Sequence, residues 1–251
     1  MLLLITDTSG VNGFVGLVRS DESQQALEVI EEVPLAGGTF SAELIPQIAA
    51  LLQKHSLRKD EIEAFIVVSG PGSFTGLRVG LAAIKGLAEV LHKPIVPVSL
   101  LNVLATFSRA ISDSEGANVS DGSRRFAVAL DAARSEAFVG EYETSLKADD
   151  CPRELGESLR SLERLANLLE SDNAKWIATP DQSIFDVLKT KVTEGKRHCI
   201  RRSLRRPHSE EVALVGLRLL KASASVPPEQ LEANYLRRTD AEIFPRPSSG
   251  S

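Results

Sequence analysis

Along the chain, unbroken apolar runs alternate with segments whose apolar residues recur every three or four positions. Residues 2–6 are apolar up to Thr6, 14–18 are apolar around Gly16, and 26–33 mix β-branched residues with acids. Ser9-Gly10 with Asn12-Gly13, and then Ser20-Asp21, part these runs, which read as three strands joined by turns. Over 41–55 the apolar residues fall at 44, 45, 48, 51 and 52, one face of a helix, and Ser41 stands where an N-cap belongs. Next come a buried strand at 64–68, a long apolar helix at 76–91, a strand at 94–98 and a helix at 99–111. The order is βββαβαβα.

Residues 108–125 are rich in Ser, Asp, Gly and Asn, have no apolar period, and read as a surface linker. Beyond it, 126–130 and 137–142 read as strands, with a weaker third near 145–151. Residues 156–169, with Leu at 159, 162, 165, 168 and 169, read as an amphipathic helix. A strand at 175–178, a helix at 182–188, a weak strand at 198–201 and a helix at 209–222 complete the set. The order repeats, and so do residues: Phe-Val-Gly follows Asp7 at 14–16 and Asp131 at 138–140, at the same offsets. The repetition predicts a duplicated α/β unit, lobes 1–107 and 126–222, with a cleft between them and one aspartate at a matching strand tip of each lobe. Either aspartate can serve chemistry there or simply cap its own turn, and for Asp131 the two readings weigh equally. Segment 223–244 is expected to pack back on the first lobe and 245–251 to be disordered.

The densest motif is Ser69-Gly70-Pro71-Gly72-Ser73-Phe74-Thr75-Gly76-Leu77-Arg78. It links a strand to a helix, whose free N–H groups could hold an anion. Yet no Gly-Lys-Ser/Thr stands at Walker spacing, Thr75 occupies the place of a dinucleotide loop's third glycine, and Pro71 removes a donor. A tight strand-to-helix turn fits these residues better than a phosphate loop. Arg78 reads as a structural ion-pair donor.

This segment resembles the signature of the TsaB (YeaZ) family. Ile5-Thr6-Asp7-Thr8-Ser9, Ser41-Ala42-Glu43-Leu44-Ile45-Pro46, Pro94-Ile95-Val96-Pro97-Val98-Ser99, Val128-Ala129-Leu130-Asp131-Ala132 and Tyr235-Leu236-Arg237 agree as well. The resemblance runs from 2 to 238 and leaves out the linker and 145–172. It implies the two-lobed actin, Hsp70 and sugar-kinase architecture, ribonuclease H-like in each lobe. It implies a non-catalytic subunit of the machinery forming N6-threonylcarbamoyladenosine in tRNAs that read codons beginning with A; the cytoplasmic location expected for the chain comes from its first residues, which have no basic n-region and meet Asp7. Its partners would be a TsaD-like transferase and a TsaE-like ATPase, with a homodimer when alone and tRNA reached only through the complex. No cofactor would be required, and ATP or ADP with magnesium would belong at the complex interface. The first-lobe helices 41–55 and 76–91 would carry the partner surface, through Leu44, Ile45, Ile48, Leu52, Leu77, Leu81 and Ile84. The second of these helices is apolar on several sides, which independently asks for cover on more than one face.

Three departures from the family pattern weigh against nucleotide binding by this chain. Phe40 replaces a histidine, Asp131-Ala132-Ala133 replaces Asp-Ala-Arg with the charge moved to Arg134, and Thr179-Pro180-Asp181 stands where a nucleotide-binding relative carries glycines. The competing reading, a free-standing ATPase or kinase, needs Asp7, Thr8, Ser9 and Asp131 to hold a metal phosphate. A metallopeptidase is weaker still, because no two of His55, His92, His198 and His208 stand one helical turn apart. Cys151 and Cys199 form no CxxC pair and suggest neither a zinc site nor a disulfide framework.

Composition sharpens this in one respect. The 251 residues are 43% hydrophobic and 25% charged, ordinary for a globular protein, with a net charge of -5. No run reaches the ~20 apolar residues of a membrane span, so no membrane role is expected. Overall charge does not draw the chain to nucleic acid, which leaves Lys196, Arg197, Arg201, Arg202, Arg205 and Arg206 as the exception. No aromatic interleaves them, so a solvated face is the default. Arg201, Arg202, Arg205 and Arg206 stand as the candidate RNA patch.

Overall fold

The structure, a computed structural model, describes residues 1–21, 26–114, 124–144, 152–202 and 205–237. Cys151, the expected strand at 145–151 and the tail 245–251 lie outside the described residues. In the first lobe β1 (Leu2–Asp7) pairs antiparallel with β2 (Asn12–Ser20), and β2 with β3 (Leu27–Ala36). On its other side β1 runs parallel to β4 (Ile62–Gly70), and β4 to β5 (Ile95–Ser99). The sheet order is β3-β2-β1-β4-β5. The second lobe is built from β6 (Arg124–Asp131), β7 (Glu136–Thr144), β8 (Arg153–Ser161), β9 (Ile177–Ala178) and β10 (Ile200–Arg201). Its order, β8-β7-β6-β9-β10, is the same arrangement of three antiparallel strands followed by two parallel ones.

Strand periodicity decides the layering, since successive side chains point to opposite faces of a sheet. Leu2, Leu4, Val15, Leu17, Phe65 and Val67 meet α1 (Phe40–Lys54) and α2 (Phe74–Leu91) on the outer face. Leu3, Ile5, Ala64, Ile66, Val96 and Val98 point inward, against α3 (Leu100–Ser114) and α6 (Ser209–Lys221). Phe126, Val128 and Leu130 of β6 enter the same core from the second sheet, while Ala127 and Ala129 face α4 (Leu162–Glu170) and α5 (Gln182–Lys191). The result is five layers, helices–sheet–helices–sheet–helices, with one core shared by both lobes. No helix among the described residues is long and apolar enough to cross a membrane.

The last described residues, 223–237, form a strap across the first lobe. Val226 pairs with Ile95 through N–H to carbonyl bonds of 2.8 and 3.4 Å, Leu231 enters the outer core, and Asn234 N–H donates to the Ser69 carbonyl at 2.8 Å. Asn234 Nδ2 then reaches Glu157 of β8 at 2.6 Å, and Tyr142 O–H donates to that same carboxylate at 3.1 Å.

Several expectations about elements are corrected. Helix α1 starts at Phe40, so Ser41 lies inside it; the N-cap is Thr39, whose hydroxyl donates to the Ala36 carbonyl at 2.9 Å. The third strand of the second lobe is β8, which takes residues 156–161 from the helix expected at 156–169. Leu159 pairs with Phe138 across the sheet, and α4 begins only after Ser161, whose hydroxyl accepts the Arg164 N–H at 3.3 Å. Helix α3 runs to Ser114 and β6 starts at Arg124, which trims both ends of the expected linker.

Candidate functional site

The signature segment begins where β4 ends, and it lies against the turn leaving β1. A Cβ on Gly72 would stand 2.2 Å from the Ser9 carbonyl oxygen, and one on Gly76 2.1 Å from the Thr8 carbonyl oxygen. A Cβ on Gly80, one helical turn on, would stand 2.1 Å from Thr8 Oγ1. Gly70 adopts φ +128, a conformation that side chains disfavour. Ser73 N–H donates to the Ser9 carbonyl at 2.7 Å, and the Ser73 hydroxyl accepts the Gly76 N–H at 3.3 Å, capping α2. The glycines therefore permit a close backbone junction, and Thr8 and Ser9 are buried in it.

Both aspartates close their own turns. Asp7 Oδ1 accepts the Ser9 N–H at 2.7 Å, and Asp131 Oδ1 accepts the Ala133 N–H at 2.8 Å, the same two-residue step in each lobe. Asp7 is buried, and that burial raises its carboxyl above the ordinary range, outweighing the Ser9 hydrogen bonds and the nearby Arg206 charge. Asp131 is exposed; its Oδ2 accepts from the Ser183 hydroxyl at 3.1 Å.

Between the lobes opens a cleft of about 1220 Å³. Its first-lobe wall carries Ser9, Val11, Phe40 and residues 71–76; Asp131, Arg134, Asp181 and Arg206 form the facing wall, and the strap supplies residues 234–237. Arg206 Nη2 donates to Asp181 Oδ1 at 3.3 Å, and Asp181 Oδ2 accepts the Asp131 N–H at 2.7 Å. Arg237 Nη2 ties the strap to the second lobe through the Ala132 carbonyl at 2.7 Å and Glu136 at 2.6 Å. At the lip, Phe74 packs on Tyr235 with ring centroids 4.9 Å apart, and the Arg78 guanidinium lies 3.8 Å over the Phe74 ring. Arg78 Nε donates to the Tyr235 hydroxyl at 3.2 Å, so its partner is an aromatic pair and not the expected carboxylate.

The carboxylates that a magnesium nucleotide would need here are engaged in structure: Asp7 is buried in its own turn, both Asp131 oxygens have donors from their own lobe, and Asp181 is paired with Arg206. Among the described residues no group of three or more His, Cys, Asp or Glu could hold a metal ion.

Two sets of expected residues are redistributed. Leu44, Ile48, Leu52, Leu77, Leu81 and Ile84 are all core, at most 7% exposed, because α1 and α2 turn their large side chains to the sheet. Of the seven expected interface residues only Ile45, 46% exposed, faces outward. The basic run also divides. Arg205 pairs with Glu211 and Arg206 with Asp181, so these two leave the expected RNA patch; Arg201 stacks 5.1 Å over Trp176 and Arg202 is exposed. Phe40, at the family's histidine position, is buried with its ring against Gly13 and Gly76. Sequence reasoning missed Ser183 and the strap's part in the cleft, although Tyr235-Leu236-Arg237 already stood out as a motif.

The family model described as "TsaD: tRNA N6-adenosine threonylcarbamoyltransferase" matches residues 34–243. The tRNA threonylcarbamoyladenosine biosynthesis protein TsaB of Bacillus subtilis is 27% identical over 249 residues, 96% of each chain. That of Haemophilus influenzae is 29% identical over 71% of this chain and 72% of its own. In structure, YeaZ from Pseudomonas aeruginosa covers 94% of this chain and 100% of its own, with a TM-score of 0.67 and 25% sequence identity. Fold, signature segment and relatives agree: the chain belongs to the family of the threonylcarbamoyltransferase model and, within it, is a TsaB (YeaZ), Gcp-like protein with the duplicated actin-like fold.

Proposed function

We propose that this chain takes part in forming threonylcarbamoyladenosine in tRNA, as a non-catalytic subunit that supports a TsaD-like transferase, with a TsaE-like ATPase as third partner. The names of its relatives support the pathway. One observation supports the non-catalytic role: the glycines and aspartates that a phosphate site in this cleft would draw on are here spent on structure. The signature glycines are filled by the Thr8-Ser9 backbone, and each strand-tip aspartate is bonded into its own turn. Any nucleotide then belongs at the junction with the partner.

The partner surface is the outer side of α1 and α2. Ala42, Ile45 and Ala49 are exposed at helical spacing on α1, as are Ala82, Gly86 and Val90 on α2, and Val90 is 70% exposed. Small and apolar residues let a second helix pair approach closely. That face would serve the transferase in the complex and a second copy of this chain in its absence. Mixing the purified chain with the transferase subunit on a sizing column tests the reading, alongside titration with ATP and magnesium. Co-elution without ATP hydrolysis by the chain alone is expected; hydrolysis without co-elution would favour the ATPase reading instead.

A further inference from the structure

The cations on the outer edge of the second lobe are the feature that neither fold nor cleft accounts for. β10 is the last strand of its sheet, and Ile200 and Arg201 pair on one side only, with Ile177 and Ala178. Lys175, Lys196 and Arg201 lie close enough around the Cys199 thiol for their charges to act on it. Lys196 is held by Asp172 at 3.1 Å and by the Leu169 and Glu170 carbonyls. Lys175, Arg197, Arg201 and Arg202 make no ion pair among the described residues, and all but Arg201 are exposed. The acids on these elements are Asp172, taken by Lys196, Glu170, which accepts the Thr193 N–H at 2.7 Å, and the exposed Glu194. In a chain of net charge -5 this edge is locally cationic.

Arg201 makes the edge more than a set of loose side chains. Its guanidinium is oriented by the Trp176 ring, while its Nε and Nη1 are buried with no acceptor among the described residues. A charge held this way lacks a counter-ion, and an anion arriving at its outer end would supply one. Trp176 itself is 4% exposed, so no aromatic face is offered on which a base could stack. One oriented guanidinium among exposed cations, without a stacking platform, suits a sugar-phosphate backbone and not base readout.

We propose that this edge, formed by Lys175, Arg197, Arg201 and Arg202, binds the phosphate backbone of RNA, adding affinity without sequence preference. The choice of RNA among polyanions rests on the tRNA reading above. The test measures binding of a fluorescently labelled tRNA transcript to the complex of this chain with its transferase partner, by anisotropy across a salt series. Each lost phosphate contact flattens the plot of log affinity against log salt by roughly 0.7–0.9. Arg197→Glu with Arg202→Glu should weaken binding about tenfold at low salt and flatten the slope by about 1.5, whereas Arg205→Ala should change neither. Unchanged affinity and slope in the double variant, with an unchanged melting curve, would overturn the proposal. So would loss of co-elution with the transferase in RNase-treated samples, which would make the edge a protein contact. A wild-type complex that binds tRNA through this edge yet makes no threonylcarbamoyladenosine would count against the proposed function alone.

Discussion

Gly76 and Gly86 lie on the same helix and make opposite demands. A Cβ on Gly76 would press to 2.1 Å from backbone oxygen, while one on Gly86 would meet nothing within 4 Å. Gly76→Ala should therefore cost about 2–3 kcal/mol in urea unfolding. Gly86→Ala, at an exposed mid-helix position, should gain up to ~1 kcal/mol. Equal effects would show that the junction with Thr8 is not tight. Asp7 makes a second test at this scale. Burial raises its carboxyl, so the folded chain keeps that proton to higher pH than the unfolded chain does. Its ionisation therefore subtracts stability as pH climbs from the unfolded value of about 3.9 through the raised folded one. Asp7→Asn keeps an oxygen for the Ser9 N–H and removes the titration. Relative to wild type it should gain stability between pH 4 and pH 7 in paired urea melts; a relative loss over that range would contradict the assignment.

At the scale of elements, the strap is the piece with the most consequence for the cleft. It crosses from the Val226–Ile95 bridge to the Arg237–Glu136 pair, and Tyr235 lies on Phe74 at the start of α2. Tyr235→Ala removes an aromatic pair and the acceptor of Arg78. It should lower stability by about 1–2 kcal/mol and speed hydrogen exchange across residues 71–79. Exchange unchanged there would mean that the strap does not hold the signature segment. Helices with one clear apolar face, such as α1, were legible in the sequence because burial and periodicity coincide. β8 was not, since Leu159 stands three positions before Leu162 and so mimics a helical face that the sheet pairing overrides. Nor was the partner of Arg78, which is set by a residue far along the chain.

For the whole molecule, the repeated element order and the paired aspartates made the duplication readable, and both sheets carry it out in the same strand order. The surface was harder to read, because a stripe of leucines marks the side of a helix facing its own sheet, not the side facing a partner. Leu44 and Ile45 are chain neighbours on opposite sides of that division. Leu44→Asp should unfold the first lobe, losing several kcal/mol. Ile45→Asp should leave the melting curve in place and abolish co-elution with the transferase; co-elution unchanged would move the interface elsewhere.

If the chain supports the modification without performing chemistry in its own cleft, as we propose, its cleft aspartates are dispensable for turnover. The measurement that decides this is threonylcarbamoyladenosine formation by the reconstituted complex carrying Asp7→Asn and Asp131→Asn together, substitutions that keep the turn-closing oxygens. Modification at the wild-type rate, with nothing formed when the chain is left out, is the expected result. Loss of modification by a folded, co-eluting double variant would show that the aspartates act chemically and would contradict the claim.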